Sequence, residues 1–195
     1  MATTLAAEPG NGHRSPHGRG AVRATGAERT FADDELIVSK TDLRGGITYA
    51  NDVFLRVSGY ELDDVLGQPH NLIRHPDMPR AVFALLWDGL AAGREVFAYV
   101  DNLAADGAHY WVLAHITPSY GPDGRVTGYH SNRRSPSARA VATVRPLYDQ
   151  LVAAERRETN GRAAVAAGSR LLAELVAARA PSYEEFIWSV IGEGS

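Results

Sequence analysis

The chain has no cysteine in its 195 residues. That excludes a disulfide framework, a thiolate nucleophile and a cysteine-held metal or cluster. It also excludes light chemistry that runs through a cysteine–flavin adduct. Lysine occurs once, as Lys40, although Lys and Arg together number 20. The arginine bias accompanies abundant alanine and glycine, the habit of a GC-rich genome, and so marks no single arginine as special. An excess of positive charge is also missing. The formal net charge is -3, which argues against a nucleic-acid partner, since that would favour a basic surface. Long apolar runs are absent as well. The longest, Ala81 to Trp87, is closed by Asp88, far short of the roughly 20 residues that span a bilayer. No apolar region near the N-terminus reads as a signal peptide. We therefore expect no membrane insertion and a cytoplasmic location.

What is present suits one domain-sized core and an appendage, with 45% hydrophobic residues. Residues 1–30 are rich in Gly, Ala and Arg without periodicity, and are expected to be disordered. From Phe31 the pattern tightens. Leu36-Ile37-Val38 and Ile47-Thr48-Tyr49 flank Gly45-Gly46, a hairpin signal. Asn51-Asp52 opens a short helix, and Glu61 to Leu66 makes another helical turn. Pro79 to Ala92 is amphipathic, with Val82, Phe83, Leu86 and Leu90 on one face and Gly93 as its stop. Three strand-like segments follow, Glu95 to Leu103, His109 to Tyr120 and Val126 to Asn132, joined at Asp106-Gly107 and Pro122-Asp123-Gly124. The fold class is α+β: a five-stranded antiparallel sheet with helices on one face. From Ala138 the chain reads as helical, with Pro146 expected to kink or start a helix. Stripes run along Val141–Val152, Leu171–Val176 and Tyr183–Val190. They are expected either to cover the sheet or to form an exposed output surface.

No P-loop, G-x-S-x-G elbow or H-E-x-x-H helix occurs, and no enzyme activity is expected. His109 and His115 share a strand face, but six residues at ~3.3 Å each put them ~20 Å apart, too far to share a metal. The densest chemistry is Gln68-Pro69-His70-Asn71-Leu72-Ile73-Arg74-His75-Pro76-Asp77-Met78-Pro79. Its prolines stiffen a polar, cationic loop ahead of a helix N-terminus, which suits it to hold a phosphorylated cofactor. Arg74 would pair with phosphate oxygens, His75 would orient or stack, and Asp77 would cap the helix. Each also has a plain structural reading, as a surface ion pair, a packing residue and a cap alone. Asn102 is a further candidate. A side-chain amide both donates and accepts, so it can follow a heterocycle nitrogen that changes role on reduction.

From about Asp33 to Arg134 the sequence resembles a PAS sensor domain, and more narrowly the flavin-binding PAS domain of bacterial aerotaxis receptors. The matching segments are Thr41-Asp42-Leu43, Ala50-Asn51-Asp52, Val57-Ser58-Gly59-Tyr60 and Gly67 to Asn71. They continue through Arg74-His75-Pro76-Asp77-Met78-Pro79, Trp87, His109-Tyr110-Trp111-Val112 and Gly128-Tyr129. The resemblance implies non-covalently bound FAD whose redox state reports oxygen or respiratory flux. It implies a cofactor site at Asn51, Arg74, His75, Asp77, Trp87, Asn102, Trp111 and His115. Three positions depart from the pattern: Val96 stands for a tryptophan, Leu103-Ala104-Ala105-Asp106 replaces a basic turn, and His115 stands for an asparagine.

The expected organisation is then a segment 1–30, a PAS domain 31–134 and a helical region 135–195. The expected function is that of a free-standing redox or oxygen sensor. It would signal to a separate signalling protein or chemoreceptor component, with a homodimer as one form. Two alternatives stay open: a haem gas sensor ligated by His70, His75 or His115, and a ligand-free interaction module.

Overall fold

The computed structural model describes residues 22–193, so most of the segment expected to be disordered lies outside the described residues. Residues 22–30 differ from that expectation. Thr25 N donates to Gly107 O, His109 N to Ala27 O, and Arg29 N to His109 O. Gly107 makes this possible: at φ +88° its absent Cβ would sit 2.3 Å from the Arg23 carbonyl oxygen.

Five strands form one antiparallel sheet: β1 (Ile37–Thr41), β2 (Ile47–Ala50), β3 (Val96–Leu103), β4 (His109–Tyr120) and β5 (Val126–Arg134), in the order β2-β1-β5-β4-β3. The turn residues read from the sequence make the connections. Gly45, Gly107 and Gly124 all take positive φ, which only glycine adopts cheaply. Between β2 and β3 come α1 (Asp52–Ser58), α2 (Leu62–Val65), a 3-10 turn (His70–Ile73) and α3 (Arg80–Ala91). Asn51 starts α1, its Oδ1 accepting from Phe54 N at 3.0 Å.

Register assigns the two faces. Asn102 pairs with Tyr110, Asp101 with Trp111 and Phe97 with His115. Side chains alternate along a strand, so even-numbered residues of β3 and β4 face α1–α3 and odd-numbered ones face the other way. That second face meets α4 (Ala138–Glu155) and α6 (Tyr183–Glu193), with α5 (Gly161–Ala177) between them in the chain. Tyr148 of α4 donates its hydroxyl to Tyr99 O at 2.8 Å and packs on Trp111. Trp188 of α6 packs on Phe97, while α5 lies along α3.

The apolar stripes of these helices are not an exposed surface. Val144, Leu147, Leu151, Leu172, Val176, Phe186, Ile187 and Val190 are buried in the same cluster as Phe54, Val82 and Val112. The reason is that β3–β4 presents a second apolar face, and burying it is worth about 25 cal/mol per Å2. Helix α4 also runs through Pro146 without a break. Among the described residues, no helix is long and apolar enough to cross a membrane.

Candidate functional site

Between the sheet and α3 lies a cavity of about 220 Å3. Its walls divide by chemistry. Phe83, Leu86 and Leu90 of α3 face Val100 and Ile116 of the sheet, giving two apolar surfaces. Trp87 and Tyr129 stand edge to face with ring centroids 5.4 Å apart, and Trp87 remains 39% exposed. The sheet also supplies Ser39, Asn102, Ser131 and Arg133 to the lining, and the 3-10 turn supplies His70.

These polar groups are unusually short of partners. Asn102 Nδ2, Ser131 Oγ and Arg133 Nη1 are buried with no hydrogen-bond partner. Burying such groups unpaired costs about 1–3 kcal/mol each, and more for a charge. Arg133 is only 3% exposed, and none of the ion pairs among the described residues involves it. Its other nitrogen, Nη2, donates to Ser39 Oγ at 2.8 Å and to His70 Nε2 at 2.5 Å. Burial lowers the Arg133 pKa to about 10, which keeps it a cation near neutrality. Burial and that same cation hold His70 well below the ordinary imidazole range, so it is neutral and accepts through Nε2.

Arg74 closes the cavity on the loop side. It pairs with Asn102 as an isolated antiparallel bridge, which ties the loop to β3. Its Nη2 donates to Met78 O at 2.8 Å, and the guanidinium lies 4.3 Å from the Phe83 ring centroid. Burial lowers its pKa, Glu155 opposes that, and Arg80 adds to it.

Of the eight candidates from the sequence, the cavity gathers three, Arg74, Trp87 and Asn102. The others lie elsewhere, for definite reasons. Trp111 and His115 have odd register on β4, so they face α4 and α6. His115 stacks on Phe97 at 4.1 Å and binds Glu95 at 2.7 Å. Asn51 spends its amide on the backbone of Val38, Phe54 and Leu36. The His75 ring turns toward His109, 5.8 Å away, with Nδ1 accepting from Asp77 N at 3.2 Å.

Asp77 does not cap α3. Pro79 occupies the cap position without a side-chain bond, and Asp77 instead accepts from Arg156, just past the end of α4, at 2.5 Å. The cap comes from Glu155, whose two oxygens accept from Arg80 N and Ala81 N, each at 2.9 Å. Sequence reasoning missed Ser39, Ser131 and Arg133. Their only local signal is alternation on β1 and β5, which puts all three on the helix-facing side.

The cavity fits a flat heterocycle with an acceptor-rich edge. Two apolar walls would sandwich such a ring, and three donors without partners line the space. A flavin ring has that chemistry. The haem alternative finds less support: only His70 of its three histidines lines the cavity, and its Nε2 is already held by Arg133.

Comparison with known proteins agrees with this architecture. Residues 47–133 match the family described as PAS fold. The chain is 46% identical over 121 residues to the aerotaxis receptor of Escherichia coli (strain K12), a match covering 62% of this chain and 24% of that protein. It is 35% identical over 99 residues to the nitrogen fixation regulatory protein of Klebsiella pneumoniae, covering 51% and 20%. The matched stretch thus spans no more than about a quarter of either relative's length. A solved light-oxygen-voltage domain, whose mechanism was addressed with a flavin analogue, superposes with a TM-score of 0.51 at 22% identity, covering 59% of this chain and 86% of that one. The sheet order and the helices on its face show a PAS fold, and residues 47–133 match the family of that description.

Proposed function

We propose that the protein is a flavin-binding redox or oxygen sensor, with FAD as cofactor, that passes its state to a separate signalling protein such as a chemoreceptor component. The observation that carries this reading is that three buried donors without partners, Arg133 Nη1, Asn102 Nδ2 and Ser131 Oγ, belong to residues lining one apolar slot. A bound flavin supplies reversible electron uptake, and with it a change of charge and hydrogen bonding at its ring. Arg133 offers a fixed cation to that edge, and neutral His70 holds the guanidinium in place without competing for it. Asn102 can donate or accept by turning its amide. Trp87 and Phe83 cover the ring from water, and Arg74 binds phosphate at the exit.

The route outward starts on β3. Asn102 lies three residues from Tyr99, whose carbonyl holds Tyr148 of α4. A turned Asn102 amide changes hydrogen bonding on one face of the strand that carries α4 and α6 on the other. The relatives support a signalling role, since one is a receptor and the other a regulatory protein. The test is the visible spectrum of freshly purified protein, followed by acid release and identification of the chromophore. Blue absorbance, fluorescence and released flavin are expected. A Soret band, or absorption by protein alone, would overturn the reading.

A further inference from the structure

A second space, a groove of about 800 Å3, opens from the same loop. Asn71, Arg74, Phe83 and Trp87 line both it and the core cavity, so the two adjoin. Its near wall is the loop and the start of α3. Its far wall is not part of the PAS domain at all, because it is the connection between α4 and α5, including Thr159, Asn160 and Gly161. Three guanidiniums line this groove, and one of them, that of Arg156, is paired with Asp77. Arg74 gives its Nη2 only to a backbone carbonyl. Arg80 lies against Gly161, close enough that a Cβ there would stand 2.9 Å from Nη1, and neither arginine is among the ion pairs of the described residues. The nearby carboxylate cannot neutralise them fully. Both oxygens of Glu155 are spent on the α3 backbone, and Glu158 is exposed at the rim.

We propose that this groove is a subsite for the diphosphate–nucleoside tail of the ligand whose ring fills the core cavity, and that the α4–α5 connection is its outer wall. This rests on the flavin reading above and extends it. At about 220 Å3 the inner cavity falls below the roughly 300–1,000 Å3 of whole small-molecule pockets, so a dinucleotide must extend beyond it. The adjoining groove is cationic where a diphosphate would pass. The C-terminal helices are then a ligand-contacting part of the sensor, in addition to packing on the sheet.

The experiment is titration of the ligand-stripped full chain with riboflavin, FMN and FAD, followed by fluorescence quenching. Arg80→Ala and Thr159→Trp are compared with the unaltered chain. Both positions are exposed and outside the core, and circular dichroism checks that both variants fold. FAD is expected to bind about tenfold or more tighter than riboflavin, the effect of a charge-assisted phosphate contact. Both variants should lose that preference while binding riboflavin as before. Equal affinity for the three flavins would overturn the subsite and leave the flavin reading standing, as would variants that keep the FAD preference. Binding of none would overturn both.

Discussion

Glu155, the last residue of α4, accepts the backbone N–H of Ala81 at 2.9 Å, joining positions 74 residues apart in sequence. Its other oxygen takes Arg80 N, so one buried carboxylate does for α3 what a local Ser, Thr or Asp does for most helices. The contact fixes the start of the helix that roofs the cavity to the end of the helix that leaves the sheet. Gly168 of α5 allows the close approach, because a Cβ there would sit 2.5 Å from Glu155 Oε1 and 2.9 Å from Ala81 Cβ.

The first expected outcome concerns this junction. Glu155→Ala leaves two N–H groups at the helix start without acceptors, and chemical denaturation should show a loss of about 2 kcal/mol. Gly168→Ala, which forces Ala81 and the Glu155 side chain apart, should cost about 1–3 kcal/mol. Unchanged midpoints in both would show that the C-terminal helices pack loosely on α3.

The second concerns acid. His70 has a folded pKa well below its unfolded value near 6.5, because burial and Arg133 disfavour its protonated form. Its contribution to stability is therefore complete above pH ~6.5 and declines as pH falls from there toward the folded pKa. The limiting slope is about 1.4 kcal/mol per pH unit for one proton. Denaturation curves between pH 7 and pH 5 should fall more steeply for the unaltered chain than for His70→Gln, whose side-chain oxygen can still accept from Arg133. Parallel curves would show that His70 protonates freely in the folded state.

The sheet and its helices were legible because their signals are local. Gly45-Gly46, Asp106-Gly107 and Pro122-Asp123-Gly124 mark the hairpins, and Asn51 marks the start of α1. Arg74, Trp87 and Asn102 were reached through the loop, the resemblance and amide chemistry. Trp111 and His115 were assigned to the cofactor side because their face depends on register, which is fixed by where Asn102 meets Tyr110. Ser131 and Arg133 were invisible for a related reason. Arg133 is the first of two adjacent arginines at a strand end, and only tertiary burial distinguishes it from Arg134, which is exposed. Glu155 offered no signal, since a cap supplied from 75 residues away leaves no trace around Arg80.

The third outcome separates stability from binding. Arg133 is a buried cation without an acid partner, a state that costs stability. Arg133→Met keeps much of the volume and removes the charge and its unpaired nitrogen. The ligand-free variant should unfold no earlier than the unaltered chain in a thermal melt, yet should purify with little or no chromophore. Full chromophore content in Arg133→Met would remove the guanidinium from the binding edge.

The last outcome divides the loop that first drew notice in the sequence. Arg74 borders both cavity and groove, and its side chain bonds only a carbonyl of its own loop. His75 is 9% exposed and turned toward His109, and it borders the groove without lining the core cavity. Arg74→Ala should therefore empty the site, since a charge-assisted contact to phosphate is worth about 1.5–3 kcal/mol, or roughly 10- to 150-fold in affinity. His75→Ala removes the Nδ1 acceptor of Asp77 N and should act only by loosening the loop, lowering affinity by about tenfold or less, the net value of one neutral hydrogen bond. Equilibrium titration with FAD measures both. Equal losses would place His75 in direct contact with the ligand in the groove.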